Sequence, residues 1–206
     1  MARSTREAIL TAAAELMRHK GYGAVGMKDI AAASGAPIGS LYHHFRGGKV
    51  QIAREALINA GMAYGLLIPS IVDTHTDLGE AIDALFTQAA EDMAQTGFAN
   101  MCPVASVAAE VADTVEELRE TSAAVFSSWI DGGAAYFTAR GLDPATARDV
   151  TLTIVGALEG AFVLARTLRS TEPLLAAGRA LAPQYSGVAL TQRAPASRGV
   201  GIVTST

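Results

Sequence analysis

The chain has one cysteine, Cys102, so an internal disulfide and a cysteine metal cluster are both excluded. A reducing cytoplasm is the compartment expected for such a sequence. Charge is sparse: 17% of the 206 residues are Asp, Glu, Lys or Arg, against 50% hydrophobic. That balance excludes wholesale disorder and allows a sizeable core. No run of about 18 or more apolar residues is free of charge, so no membrane span is expected. The first ten residues, MARSTREAIL, show neither a signal-peptide core nor a small-residue cleavage site. There are four histidines, His19, His43, His44 and His75, but no Ser/His/Asp spacing or metal-ligand pair. Gly47-Gly48 lacks the remaining residues of a phosphate loop. No catalytic residue, metal site or cofactor is therefore assigned, and an enzyme is not expected.

What is present is unevenly placed. Residues 1–54 carry eight Lys or Arg and three acids, a balance of +5; the remaining 152 residues carry eight and seventeen, a balance of −9. A small basic head on a larger acidic body suggests that the head meets a polyanion.

Runs of β-branched residues are few and the apolar period is helical nearly throughout. Ser4-x-x-Glu7 is a capping box, and the helix it opens stops at Gly21. A short helix over 27–34 follows, with Gly26 as its N-cap and Gly35 as a left-handed stop. Pro37 fits the first turn of the next helix, 38–45. Gly47-Gly48 breaks the chain, and a longer helix from Lys49 is expected to end before Pro69. Asp77-x-x-Glu80 and Asp113-x-x-Glu116 are read as caps, the second helix ending at Gly141. Pro103 opens a helix over 103–112, and Asp143-Pro144 opens an apolar one over 144–169. A last helix covers 172–181. The period is lost after Pro183, so 184–206 is expected to be a flexible tail. The expected fold is all-α, with a head at 1–54 and a body at 55–183.

Two short helices joined by Gly35-Ala36-Pro37 make a helix-turn-helix. Local charge is positive, and Lys28 and Lys49 bracket the pair. The second helix offers Ser40, Tyr42 and His43 as hydrogen-bonding groups, while Gly39 and Ser40 are small enough for close approach to base edges. Leu41 and Phe45 read as core. His43 and His44 point about 100° apart on a helix and make a poor chelate.

The residues Asp29-Ile30-Ala31, Gly35 and Leu41-Tyr42-His43-His44-Phe45 carry a resemblance. The span 8–57 resembles the DNA-binding domain of the TetR family of transcriptional regulators. HHFRGGK and Met101-Cys102-Pro103-Val104-Ala105 are similar to motifs of its LmrA/YxaF-like branch. The resemblance implies that Lys28, Tyr42, His43 and Lys49 hold phosphates of double-stranded operator DNA. It also implies that Pro37, Ile38, Gly39 and Ser40 face the groove. Relatives often place a basic or polar residue where this chain has Ile38, which offers a thymine methyl an apolar contact and guanine no donor.

The body carries soft and aromatic side chains suited to an apolar pocket for a small molecule. The candidates are Phe86, Met93, Phe98, Met101, Phe126, Trp129 and Phe162, with Phe137 a further aromatic of the same segment. The helix over 144–169 is apolar on nearly every side, as a buried or interface helix is. Its Gly156, Ala157, Gly160 and Ala161 would admit a partner helix closely, and with 172–181 it would form a four-helix homodimer interface. Glu159 lies inside that run. Pairing with Arg166, pairing with a partner subunit and lining a pocket all stay open for it. Cys102 reads as buried rather than reactive.

The leading expectation is a ligand-responsive repressor released from a palindromic operator when a small apolar or aromatic molecule binds the body. The alternative is an architectural or regulatory DNA-binding protein without an effector.

Overall fold

The computed structural model describes residues 4–99 and 101–191. Among them are nine α-helices: α1 Thr5–Lys20, α2 Met27–Ser34, α3 Ile38–His44, α4 Gly48–Val72, α5 Leu78–Gln95, α6 Pro103–Val111, α7 Glu116–Thr138, α8 Pro144–Leu168 and α9 Glu172–Leu181. A single 3-10 turn, Ala182–Tyr185, follows α9.

Local signals set most helix ends. Both bonds of the Ser4/Glu7 capping box are made. Asp143 accepts from the amide of Thr146 at the start of α8. Gly35 ends α2 at φ +68° and Gly48 turns into α4 at φ +65°, both left-handed conformations that favour glycine. Pro37 sits one residue earlier than expected, as the N-cap of α3 rather than inside its first turn.

Three expectations fail, each through packing. The helix that begins at Gly48 does not stop before Pro69; the proline lies inside α4, which runs on to Val72. Proline in a helix interior costs about 3 kcal/mol. Here Val72 is fully buried while Ile68 and Ile71 pack against the same core. Burial of about 1.5–3 kcal/mol per large aliphatic side chain offsets the proline. Asp113 does not cap α7: its N-cap is Val115, which makes no side-chain cap bond. The amides of Thr114 and Val115 both donate to the Val111 carbonyl, carrying the α6 turn two residues past Asp113. The chain beyond Pro183 does not loosen at 184. Leu78 donates to the Val188 carbonyl, Leu190 donates to Thr76, and Leu190 is buried. Asp77 serves both pieces, accepting from Glu80 to cap α5 and from Gly187 to hold the returning segment. The rest of the expected tail, 192–206, lies outside the described residues.

The interior forms two apolar clusters. One joins α1–α3 and the first half of α4 to Val104, Val107 and Val111 of α6 and to Leu118 and Val125 of α7. The other joins the end of α4 to α5, the end of α7, α8 and α9. The expected boundary at 54/55 falls inside α4, whose Ala56 and Leu57 belong to the head's cluster. Helices α4 and α7 cross closely: a Cβ at Gly61 would lie 2.5 Å from Val125 Cγ1, and Trp129 Nε1 donates to the Gly61 carbonyl at 2.8 Å. Helices α4 and α8 are long and apolar enough by composition to cross a membrane, with a mean hydropathy of 1.4 over their most apolar stretch. Each threads the bundle by one side. On α8 the opposite side leaves Leu152, Val163, Leu164 and Leu168 exposed.

Candidate nucleic-acid interface and effector cavity

The head is built to present α3. Leu41 and Phe45 are fully buried in the first cluster, pinning the helix by its inner face. The Arg6 guanidinium stacks over the Phe45 ring, 5.1 Å from its centroid, and pairs with the Glu55 carboxylate, so α1, α3 and α4 are tied together. With that face fixed, Pro37, Ile38, Gly39, Tyr42 and His43 are exposed and Ser40 half-buried, while Lys28 is exposed at the start of α2. Open space surrounds the position of a Cβ on Gly39. Tyr42 is 57% exposed, too open for a core tyrosine.

Lys49 differs from its neighbours. Its ammonium lies 4.0 Å from the centroid of the Tyr22 ring and 3.5 Å from the Gly23 carbonyl oxygen. Burial pulls its pKa below the usual lysine value, an effect the Glu110 carboxylate opposes. A phosphate would therefore compete with the loop between α1 and α2 for this cation. His43 and His44 are both exposed, their rings 5.2 Å apart and edge to face.

In the body, α4, α5, α7 and α8 enclose a cavity of about 600 Å³. Of the seven expected lining residues, Trp129 and Phe162 are on its wall. Phe86 and Met93 are fully buried on the other side of α5; the Phe86 Cβ would meet a Cβ on Gly178 of α9 at 2.9 Å. Phe98 and Phe126 pack into the two clusters, Phe126 edge-on to Trp129 at 5.4 Å, and Met101 is half-buried off the wall. The further aromatic Phe137 is on the wall, as is Glu159, and other residues complete it: Tyr64 and Ile68 from α4, Leu85, Gln88 and Asp92 from α5, Tyr136 from α7, and Leu158 from α8. Most of the α4 contribution precedes Pro69, and the helical spacing Gly61, Tyr64, Gly65, Ile68 is the signal that marks it in sequence.

Cys102 and Glu159 meet at this wall. The buried Cys102 is the N-cap of α6, its sulfur accepting from the Ala105 amide at 3.5 Å. Its thiol lies close enough to the Glu159 carboxyl for the two to shift each other's titration. Burial above all, then the nearby Glu159 charge, pushes the thiol well above the ordinary range, so it is no ready nucleophile. Burial pushes the Glu159 carboxyl up to about 7. Arg166 does not pair with Glu159. Its guanidinium donates to the Arg18 and His19 carbonyls at 2.9 and 2.8 Å, capping the C-terminal end of α1 where a cation is favoured.

Short contacts join this wall to the head. From α6, the Glu110 carboxylate accepts from the Tyr22 and Gly23 amides, both at 2.6 Å, and Ser106 donates to the Met17 carbonyl. Cavity wall, α6 and the loop ahead of the helix-turn-helix thus form one connected path.

On α8, Gly156 and Gly160 face outward with open space at their Cβ positions. Ala161 does not: it is buried in the second cluster, and Ala157 packs against that cluster. The outward stripe is Leu152, Gly156, Gly160, Leu164 and Leu168, rather than the run of four small residues.

Comparison with known proteins agrees with this geometry. Residues 9–56 match the family described as bacterial regulatory proteins, tetR family. Residues 79–180 match the LmrA/YxaF-like transcriptional regulator C-terminal domain. An HTH-type transcriptional regulator of Mycobacterium tuberculosis is 35% identical over 175 residues, covering 82% of this chain and 88% of the relative. The HTH-type transcriptional regulator LmrA of Bacillus subtilis is 32% identical over 171 residues, covering 83% and 91%. The fold is also that of a TetR transcriptional regulator from Legionella pneumophila, with a TM-score of 0.74 at 21% identity over 90% of this chain and 98% of that one. A TetR transcriptional regulator from Chloroflexus aurantiacus gives 0.70 at 27% identity over 91% and 96%. The exposed α3 of a helix-turn-helix head on a helical body is thus that of a DNA-binding transcriptional regulator, not an enzyme, and the chain belongs to the TetR family with an LmrA/YxaF-like C-terminal domain.

Proposed function

We propose that this regulator is a homodimeric repressor that leaves a palindromic operator when a small apolar or aromatic molecule enters the body cavity. The observation that carries this reading is the path from the cavity wall to the head. Cys102 lines the cavity and caps α6, and Glu110 of the same helix grips the loop that leads into α2. A ligand that favours another placement of α6 would reposition the head, and its leverage equals its preference for that state. Acting on DNA, the protein works in the cytoplasm.

In the head, Ile38, Gly39 and Ser40 of α3 would enter the major groove with Pro37 at its edge. Lys28, Tyr42 and His43 would hold phosphates, joined by Lys49 once it leaves Tyr22. The outward stripe of α8 supports a dimer, because three exposed leucines flank two glycines that permit close approach. Two heads on a two-fold axis require an inverted repeat.

Selection from a random pool of duplexes tests the dimer reading. Recovered sites should be inverted repeats, and Leu164→Glu should yield a monomer by light scattering with weakened operator binding. Single half-sites from the pool, or an unchanged dimer, would reject it. Fluorescence anisotropy on the selected duplex tests release, since an inducing ligand must bind more weakly when operator is saturating.

A further inference from the structure

We propose that the cavity selects a monocationic amphiphile, an apolar or aromatic body bearing one protonated amine, with Glu159 as its ionic anchor. The proposal rests on the reading of the cavity as an effector site. The lining supplies the sign. Its carboxylates are Asp92 and Glu159; its other ionisable groups, Tyr64, Tyr136 and Cys102, are neutral acids. No lysine, arginine or histidine is among the described residues that line it. An anionic ligand would meet two carboxylates in an apolar space with nothing to balance its charge.

Glu159 is placed to receive a donor. Its Oε2 is buried and has no hydrogen-bond partner among the described residues. Such atoms are few in folded proteins, and each asks for an explanation. Arg166, on the same helix, donates to the α1 carbonyls, and Arg18 pairs with Glu15 at 3.1 Å. Tyr64 of α4, Asp92 of α5 and Cys102 share the lining with Glu159, and Tyr64 also feels the charges of Arg18 and Glu15 of α1. With burial raising its carboxyl to about 7, Glu159 exchanges its proton near neutrality, and an ammonium beside it would hold it ionised. Tyr64 and Trp129, with ring centroids 6.3 Å apart, add aromatic faces that attract a cation.

The chain has one tryptophan, and it lines the cavity, so intrinsic fluorescence reports entry directly. The test titrates the full chain with 4-phenylbutylamine, 4-phenylbutanol and 4-phenylbutyrate, which share one body and differ in charge. The amine should bind about tenfold tighter than the alcohol, and the acid weakest. Glu159→Gln should bring the amine to the alcohol's affinity and leave the alcohol unmoved. Wild-type protein gives a second reading that needs no variant. Between about pH 6 and 8 the amine's affinity should rise by up to about tenfold as Glu159 ionises, while the alcohol's stays level. Equal binding of amine and alcohol, or tightest binding of the acid, would overturn the ionic anchor and leave the effector cavity standing. No fluorescence response to any of the three at millimolar concentration would remove the effector reading and the proposal together.

Discussion

Glu110→Ala cuts the grip of the body on the head without altering the exposed face of α3 or the cavity wall. The wild-type carboxylate accepts two backbone amides at 2.6 Å, from Tyr22 and Gly23. A hydrogen bond to a charged group contributes about 1.5–3 kcal/mol in favourable settings. Glu110 is exposed, and the freed amides would be taken up by water, so the pair together is worth about 1–2 kcal/mol. For a chain of this size that lowers Tm by about 2–8 °C at fixed protein concentration. Glu110→Gln should be no better than alanine, because its amide nitrogen would confront one of the two N–H donors. The local assay is hydrogen exchange: protection at Tyr22 and Gly23 should fall by about tenfold, the equivalent of 1.4 kcal/mol, with the core of α5 unaffected. In function, Glu110→Ala should still bind the selected operator but respond less to a cavity ligand. A variant with wild-type Tm and wild-type exchange at both amides would refute the latch. A variant with lost protection but full ligand response would move the coupling to Arg166, which grips α1 from the cavity helix.

Arg140 has 1% of its surface exposed and donates to the Thr191 and His75 carbonyls, to Asp73 and to the Tyr136 hydroxyl. Arg140→Met should cost about 3–5 kcal/mol in urea unfolding, and a loss under 1 kcal/mol would show those acceptors find water. Lys49→Ala should lower the slope of log affinity against log salt by about one, unless Tyr22 keeps the ammonium, in which case the slope will not move. The Glu159 carboxyl, raised to about 7 by burial, binds its proton more tightly in the folded chain than in the unfolded one, where it titrates near 4.3. Its contribution to stability is therefore full below about pH 4 and lost as pH rises through 7, and Glu159→Gln should flatten the fall in urea midpoint across that range. An equal fall in the variant would assign it to other groups.

The parts of this fold legible from sequence are those decided within a few residues. A serine and a glutamate three apart close a capping box whatever surrounds them, as Ser4 and Glu7 do. Gly35 can take a left-handed turn at little cost, and that alone stops α2. The order of apolar and polar residues around Leu41 and Phe45 likewise fixes which side of α3 faces out. Pro69 and Asp113 mislead for one reason: their local preference is smaller than the burial of Val72, or than the turn that continues out of α6. Leu190 is a single apolar residue in an aperiodic stretch, and its place depends on Thr76 and Leu78 more than a hundred residues earlier.

The cavity is harder still to read because a helix has more than one apolar side. Phe86 and Leu85 are adjacent and both hydrophobic, yet Gly178 of α9 draws Phe86 away from the cavity and leaves Leu85 on its wall. Ala157 and Ala161 fall to the inner face of α8 by the same logic, while Gly156 and Gly160, one residue earlier in each pair, fall to the outer. Glu159 is the exception that sequence could mark. A carboxylate inside a largely apolar stretch of fifteen residues, 151–165, must find a cation, a proton or a ligand, and this fold turns the cation Arg166 to α1. The proton and the ligand remain, and the two compete for the same oxygen. Any molecule that binds there with a positive charge must displace the proton, which makes the sensitivity of such a site to effector and its sensitivity to pH one property.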